Sequence, residues 1–201
     1  GDDLLRSLTI TPAADKFFYS RLEITVDDGE DPTSKTVVVK VNAMPQVANV
    51  GLELDEGSTA VVGEDDLSYT DRDNEKSDLT YTVEAVPVHI TLYRFDVEAV
   101  ALGIGDTFTQ QDLADGLISA RHDGVETPIV DTFKYSISDG DGGGLSNKDF
   151  DFDIVPVNDT AEISLPEGLV VNVGDMLRIT GLSFSDADDT TVTVTLSVTG
   201  S

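Results

Sequence analysis

The sequence predicts an all-β chain of tandem antiparallel sandwiches. Three observations carry this. Apolar residues alternate with polar ones at a period of two almost everywhere, the signature of half-buried strands. Gly/Asp/Asn-rich breaks separate these runs at intervals that suit an antiparallel sandwich. The chain also repeats itself: Val41-Asn42 returns as Val157-Asn158, Asp28-Gly29 as Asp139-Gly140, Glu56-Gly57 as Glu167-Gly168, and Asp71 with Asp73 as Asp186 with Asp188, each about 111–116 residues later. A period this long marks whole domains in tandem. One complete repeat then covers residues 45–158, preceded by the C-terminal half of a repeat (1–44) and followed by the N-terminal half of the next (159–201).

Element by element, Leu22, Ile24 and Val26 form the apolar face of a first strand, and 17–26/35–42 reads as a hairpin turned at Asp27-Asp28-Gly29. Phe133, Tyr135 and Ile137, then Phe150, Phe152 and Ile154, give a second hairpin over 131–138/147–156, turned at Asp139-Gly140-Asp141-Gly142. Such turns need φ > 0, which Gly supplies without strain. Val192, Val194, Leu196 and Val198 predict a strand over 192–198. One stretch departs from the rule: Thr109 as N-cap with Asp112 three residues on predicts a single helical turn closed by Gly116, a structural crossover in the sandwich.

Composition bounds the function. With 201 residues, 39% hydrophobic content, 6% aromatic content and no Trp, the chain suits slim sandwiches better than an enzyme with a deep pocket. The absence of Cys excludes disulfides, thiolate metal sites and a Cys nucleophile. A small extracellular domain without disulfides needs another stabiliser, and bound cations are the obvious one. No segment has the apolar length to span a bilayer and no signal peptide is visible, so the chain reads as an interior piece of a longer secreted protein. Against 12 basic residues stand 39 acidic ones, a net charge of −27. Nucleic acid and anionic membranes would be repelled, which excludes nucleic-acid partners and direct membrane insertion. Many carboxylates sit in short loops, DDGED (27–31), DRDNE (71–75), SDGDGGG (138–144) and SDADD (185–189). Diffuse surface acidity would scatter them; clustering favours cation binding, although any single Asp-Gly can be a turn and nothing more.

Four motifs then occur in order: FTQxDL within 105–127, HDGxET at 122–127, the SDG hairpin within 131–143 and PVND closing 152–159. This run resembles the chondroitin-sulfate-proteoglycan repeat, a cadherin-like module also found in large bacterial surface adhesins. The flanking halves resemble more generic bacterial cadherin-like repeats: ITPAADKFF (10–18) is similar to their PAADFNG start, and LPEG with SDADD (165–189) to their opening half. The resemblance implies tandem cadherin-like Greek-key β-sandwiches that extend and stiffen an extracellular protein, with calcium at domain junctions. It also implies the ligands. Glu56, Asp123 with Glu126, Asn158 with Asp159, and Asp186 with Asp188 match the family's positions at the second junction. Calcium takes about six to eight oxygen ligands from such groups. These side chains would repel one another without a cation, so the junction is expected loose when empty and rigid when filled. At the first junction Asn42 is followed by Ala43 where the second has Asp159. Asp71, Asp73 and Asp139 are still expected to converge there, assisted by Asp141, in a weaker or wetter site.

His122 and His89 read as packing residues, and no phosphate loop, HExxH or GxSxG is visible. Each half-repeat alone would expose an apolar face and strand edges. Pairing of one molecule's C-terminal half with another's N-terminal half would give homophilic head-to-tail association; independent small sheets are the bland alternative. The leading expectation is a calcium-binding, non-enzymatic spacer and adhesive segment. The alternative is a calcium-assisted carbohydrate-binding module of a polysaccharide-degrading enzyme, with Tyr93, Phe95, Phe17 and Tyr19 as the aromatics available to stack on sugar rings.

Overall fold

Period-two sequence makes strands, and in the computed structural model, which describes residues 7–13, 16–197 and 199, the regular structure is almost all strand, with one short helix. The N-terminal half forms one hairpin, β1 (Phe18–Val26) and β2 (Thr33–Val41), paired from Phe18↔Val41 to Val26↔Thr33. The complete repeat follows with β3 (Gln46–Asn49), β4 (Leu52–Asp55), β5 (Thr59–Val61), β6 (Leu67–Thr70), β7 (Thr80–Ala85), β8 (Ile90–Phe95), β9 (Ala99–Ala101) and β10 (Thr107–Thr109). Helix α1 (Gln110–Ala114), β11 (Ile118–His122), β12 (Val130–Ser138) and β13 (Gly144–Val155) complete it. Beyond it, among the described residues, lie β14 (Glu162–Ser164) and β15 (Ser183–Ser185).

The repeat is a sandwich. One sheet runs β10-β7-β12-β13-β4, the other β5-β11-β8-β9, with the short pair β3-β6 beside them. Pairing is antiparallel except for β4, which lies parallel to β13. The chain changes sheets between β3 and β4 at Gly51, where φ is +85° and a Cβ would sit 2.9 Å from the Asp151 carbonyl oxygen. Only glycine fits that corner.

Alternation places Phe133, Tyr135 and Ile137 of β12 inward, with Phe133 directly opposite Phe150, in one core with Phe152 and Ile154 of β13 and Ile90, Leu92 and Ile118 of the other sheet. The aromatic rings interlock: Tyr81 stacks on Phe108 at 4.7 Å, and Tyr69 meets Tyr81 edge-on at 5.6 Å. Each such pair contributes about 0.5–1.5 kcal/mol beyond its buried area. Helix α1 starts as its sequence predicts. Thr109 caps the Asp112 N–H, the Asp112 carboxylate accepts from the Thr109 N–H, and Gly116 ends the turn with φ +67°. Within it Gln110 is fully buried; its Oε1 accepts from the Tyr69 N–H (2.8 Å) and the Tyr81 hydroxyl (2.5 Å), and its Nε2 donates to Glu64 (3.0 Å). The FTQxDL motif is therefore a core device that ties β6 and β7 to the crossover.

The halves differ from the middle. Leu8, Tyr19, Val26 and Val38 in one, and Val170, Val173, Met176 and Leu196 in the other, stand exposed. Each half forms its own two-stranded sheet. The strand expected over 192–198 is not formed at residues 192–197, and Val198 lies outside the described residues. A strand needs a partner edge, and residues 192–197 pair with none among the described residues.

Candidate metal centres at the two junctions

The acidic residues gather at the two ends of β12. Its nine residues, at about 3.3 Å each, separate the ends by roughly 30 Å.

At the C-terminal end of β12, Asp139 is the hub, with only 2% of its surface exposed. Its Oδ1 accepts from the N–H groups of Asp141 (2.8 Å) and Gly143 (2.9 Å), which folds the hairpin tip around it. Its Oδ2 accepts from the Asn42 side chain (2.5 Å), and its carbonyl from that of Asn74 (3.0 Å). The linker, the loop after β6 and the β12–β13 hairpin thus meet on one residue. Asp73 joins them, accepting from the Ala43 N–H (3.2 Å), while Asp71 accepts from the Asp73 N–H (3.0 Å). Four buried oxygens in this group have no partner: Asn42 Oδ1, Asp71 Oδ2, Asp73 Oδ2 and Asn74 Oδ1. All are acceptors, so what satisfies them is a cation or a donor. Burial holds the Asp71 carboxyl above its usual range, with Asp73 and Asp139 adding repulsion. Asp141 turns away. It ion-pairs with Lys40 and accepts from Asn74, and Lys40 holds its carboxyl below the usual range. Beside the cluster lies a cleft of about 520 Å³ lined by Phe17, Val41, Asn42, Met44, Asp71 and Arg72.

At the other end, Glu56 follows β4 and is anchored by its N–H to the Val155 carbonyl (2.9 Å). Glu126 comes from the loop between β11 and β12, and Asp159 from the linker after β13. Their carboxylate oxygens lie within 4.8 Å of one another, which no other set of three acidic or His side chains among the described residues does. Oε1 of both glutamates is buried without a partner. The Asp159 N–H donates to Asp188 (2.5 Å), while Asp186 accepts from the N–H groups of Asp188 (3.1 Å) and Asp189 (2.9 Å). Asn158 bonds the Asp159 carbonyl (2.7 Å). Burial, then the charges of Asp188, Glu56 and Asp159, push the Glu126 carboxyl up to about 7. Asp123 stands apart, held by His89 Nδ1 (3.1 Å) and the Val125 N–H (3.2 Å), and His89 keeps its carboxyl low.

Both clusters offer oxygen only, carboxylate or amide, the donor set that suits a hard cation such as calcium. The second is tighter; at the first, the ammonium of Lys40 already neutralises one carboxylate. Asn74 was not singled out from sequence, although its place beside Asp71 and Asp73 in DRDNE was a usable signal.

A family model described as cadherin-like matches residues 45–155. FRAS1-related extracellular matrix protein 2 of Homo sapiens is 30% identical over 135 residues, covering 65% of this chain and 4% of that protein. Extracellular matrix organizing protein FRAS1 of Mus musculus is 27% identical over 182 residues, covering 88% of this chain and 4% of that protein. Chondroitin sulfate proteoglycan 4 of Homo sapiens is 31% identical over 134 residues, covering 63% of this chain and 5% of that protein. The chain thus spans about one twentieth of the length of the curated relatives it matches.

Proposed function

The chain belongs to the cadherin-like family, and from that premise we propose that it serves as a calcium-stiffened spacer and adhesive segment of an extracellular matrix protein. The observation that carries this reading is the set of buried, partnerless oxygens at both junctions, Glu56 and Glu126 Oε1 at one and four Asn and Asp oxygens at the other. Leaving such groups unpaired costs about 1–3 kcal/mol each and more when charged. A bound calcium would supply the positive charge that lets these carboxylates share one space. The residues do the rest. Asn42 and Ala43 tie the first linker to Asp139 and Asp73, and Asp159 ties the second to Asp188. Each linker is therefore tied to the segment that follows it, and a cation there would set the angle between domains.

An extracellular location agrees with the matrix relatives; among the described residues no helix is long and apolar enough to cross a membrane. These relatives are animal matrix proteins; a bacterial adhesin context rests on the sequence resemblance alone. A structural role rather than catalysis fits the same names. Scattering profiles in calcium and in EDTA test the reading: unchanged dimensions and flexibility would refute it.

The exposed halves support a further part of this reading, self-association. In the middle repeat β12 pairs with β7 and β13 with β4. By repeat position β1 and β2 stand for β12 and β13, and residues near 163–166 and 192–197 stand for β4 and β7. A second copy's C-terminal half, or a neighbouring repeat of a longer parent chain, presents the partners that β1 and β2 lack. Mass that grows with concentration supports exchange between copies; a strictly monomeric mass refutes it. Carbohydrate stacking finds less support, because the exposed rings of Tyr19 and Phe95 lie on different sheets and Tyr93 and Phe17 are half-buried.

A further inference from the structure

His122 ends β11 on the inward face and is 1% exposed. Its Nδ1 accepts from two backbone N–H groups, those of Gly57 and Gly124, each at 3.2 Å. A ring that accepts at Nδ1 carries its proton on Nε2. The two glycines belong to the turns that present the second cluster: Gly57 directly follows Glu56, and Gly124 lies two residues before Glu126. Both have positive φ, +66° and +86°, and a Cβ on either would lie 3.9 Å from the other's Cα. The two turns are thus in contact through backbone alone. The His122 N–H adds a third tie, to the Ser58 carbonyl (3.0 Å).

We propose that His122 is a positioning residue for the second-junction cation site: one imidazole nitrogen cross-braces the Glu56 and Glu126 turns and holds both carboxylates at ligand spacing against their mutual repulsion. This rests on the calcium reading of that site and assigns His122 a role in it without making it a ligand. The geometry explains why HDG precedes the ligand loop. The His brings the acceptor, Gly124 permits the close approach, and Asp123, between them, is occupied by His89. Groups that orient a metal ligand from behind typically change affinity by about 10–100-fold when removed.

The test compares wild type with His122→Asn and His122→Phe. Asparagine Oδ1 falls where Nδ1 does and keeps an acceptor; phenylalanine keeps the ring and loses it. Calcium is titrated while the Gly57, Gly124 and Gly143 amide resonances are followed, and amide exchange is measured in EDTA. The expected result is second-junction binding about 10–100-fold weaker in His122→Phe, near wild type in His122→Asn, and an unchanged first junction at Gly143. In EDTA the Gly57 and Gly124 amides should exchange fast in the Phe variant only. Equal weakening in both variants would show that ring packing is what matters and overturn the proposal, as would wild-type affinity in His122→Phe. Should the Phe variant not fold, His122→Gln replaces it: its oxygen reaches the Nε2 position, and it is expected to be as weak. If wild type shows no saturable calcium response, the calcium reading falls, and the brace is decided by exchange in EDTA. Protection equal to wild type in the Phe or Gln variant then overturns it.

Discussion

Gly143 offers a sharp test of the first junction, because the sign of the effect is at stake. Its backbone is not in the left-handed region, so alanine is conformationally allowed there. Ordinary Gly→Ala replacement at such a position stabilises by about 0.4–1 kcal/mol through the unfolded state. Here a Cβ would overlap Asp139 Oδ2 and lie 2.7 Å from Asn42 Nδ2. Asp139 must then move. It would give up the Asn42 bond and the bond from the Gly143 N–H, each involving a buried carboxylate and worth about 1.5–3 kcal/mol. With partial relaxation and the backbone gain set against this, Gly143→Ala is expected to destabilise by about 2–4 kcal/mol. Urea unfolding followed by tyrosine fluorescence measures it, with Gly140→Ala unsuitable as a control because of its positive φ. A neutral or stabilised Gly143→Ala protein would refute the placement of Asp139 as the hub of that junction.

Glu126 makes stability depend on pH. Its folded pKa, about 7, lies above the ordinary 4.5, so its contribution is fully present below about 4.5 and is lost as pH rises through about 7. In EDTA the melting temperature should fall over that window, less so in Glu126→Gln; in calcium, affinity should instead rise with pH as the proton is displaced, which calorimetry in two buffers detects. Gln110→Ala leaves the Tyr69 N–H and Tyr81 hydroxyl unpaired in the core and should cost about 3–5 kcal/mol in denaturant unfolding, the same with and without calcium. Lys40→Met removes the ammonium facing Asp141 and should leave stability in calcium nearly unchanged while widening the gap between calcium and EDTA melting temperatures; an unchanged gap would remove Lys40 as an internal counter-ion.

Much of the fold was legible because strand signals are local. Phe133, Tyr135 and Ile137 alternate, face inward and pair with a β13 that alternates likewise, and Thr109 with Asp112 forms the cap its spacing implies. The run Val192, Val194, Leu196 carried the same signal and stays without a strand through residue 197. Alternation states a capacity to pair; in the proposed reading, the edge it would meet belongs to the other half of a repeat. The gathering of Asp71, Asp73, Asn42 and Asp139 was expected from acidic loops at one end of the sandwich, and that of Glu56, Glu126 and Asp159 from the family resemblance alone. What sequence could not show was which oxygens are already engaged. Asp141 is taken by Lys40, 101 residues away, and Asp123 by His89, 34 residues away. The ring of His122 was read as packing, and its double acceptance depends on Gly57 and Gly124 touching, a tertiary contact without a local signal.

In the function proposed above, cations at the junction carboxylates fix one domain relative to the next. Small-angle scattering of the chain in calcium and then in EDTA, at protein concentrations low enough to hold the mass constant, tests it most directly. A calcium-stiffened chain gives a defined maximum dimension and a rigid profile in calcium, and a broader, flexible one in EDTA. Superimposable profiles would contradict it and leave the acidic loops as turns.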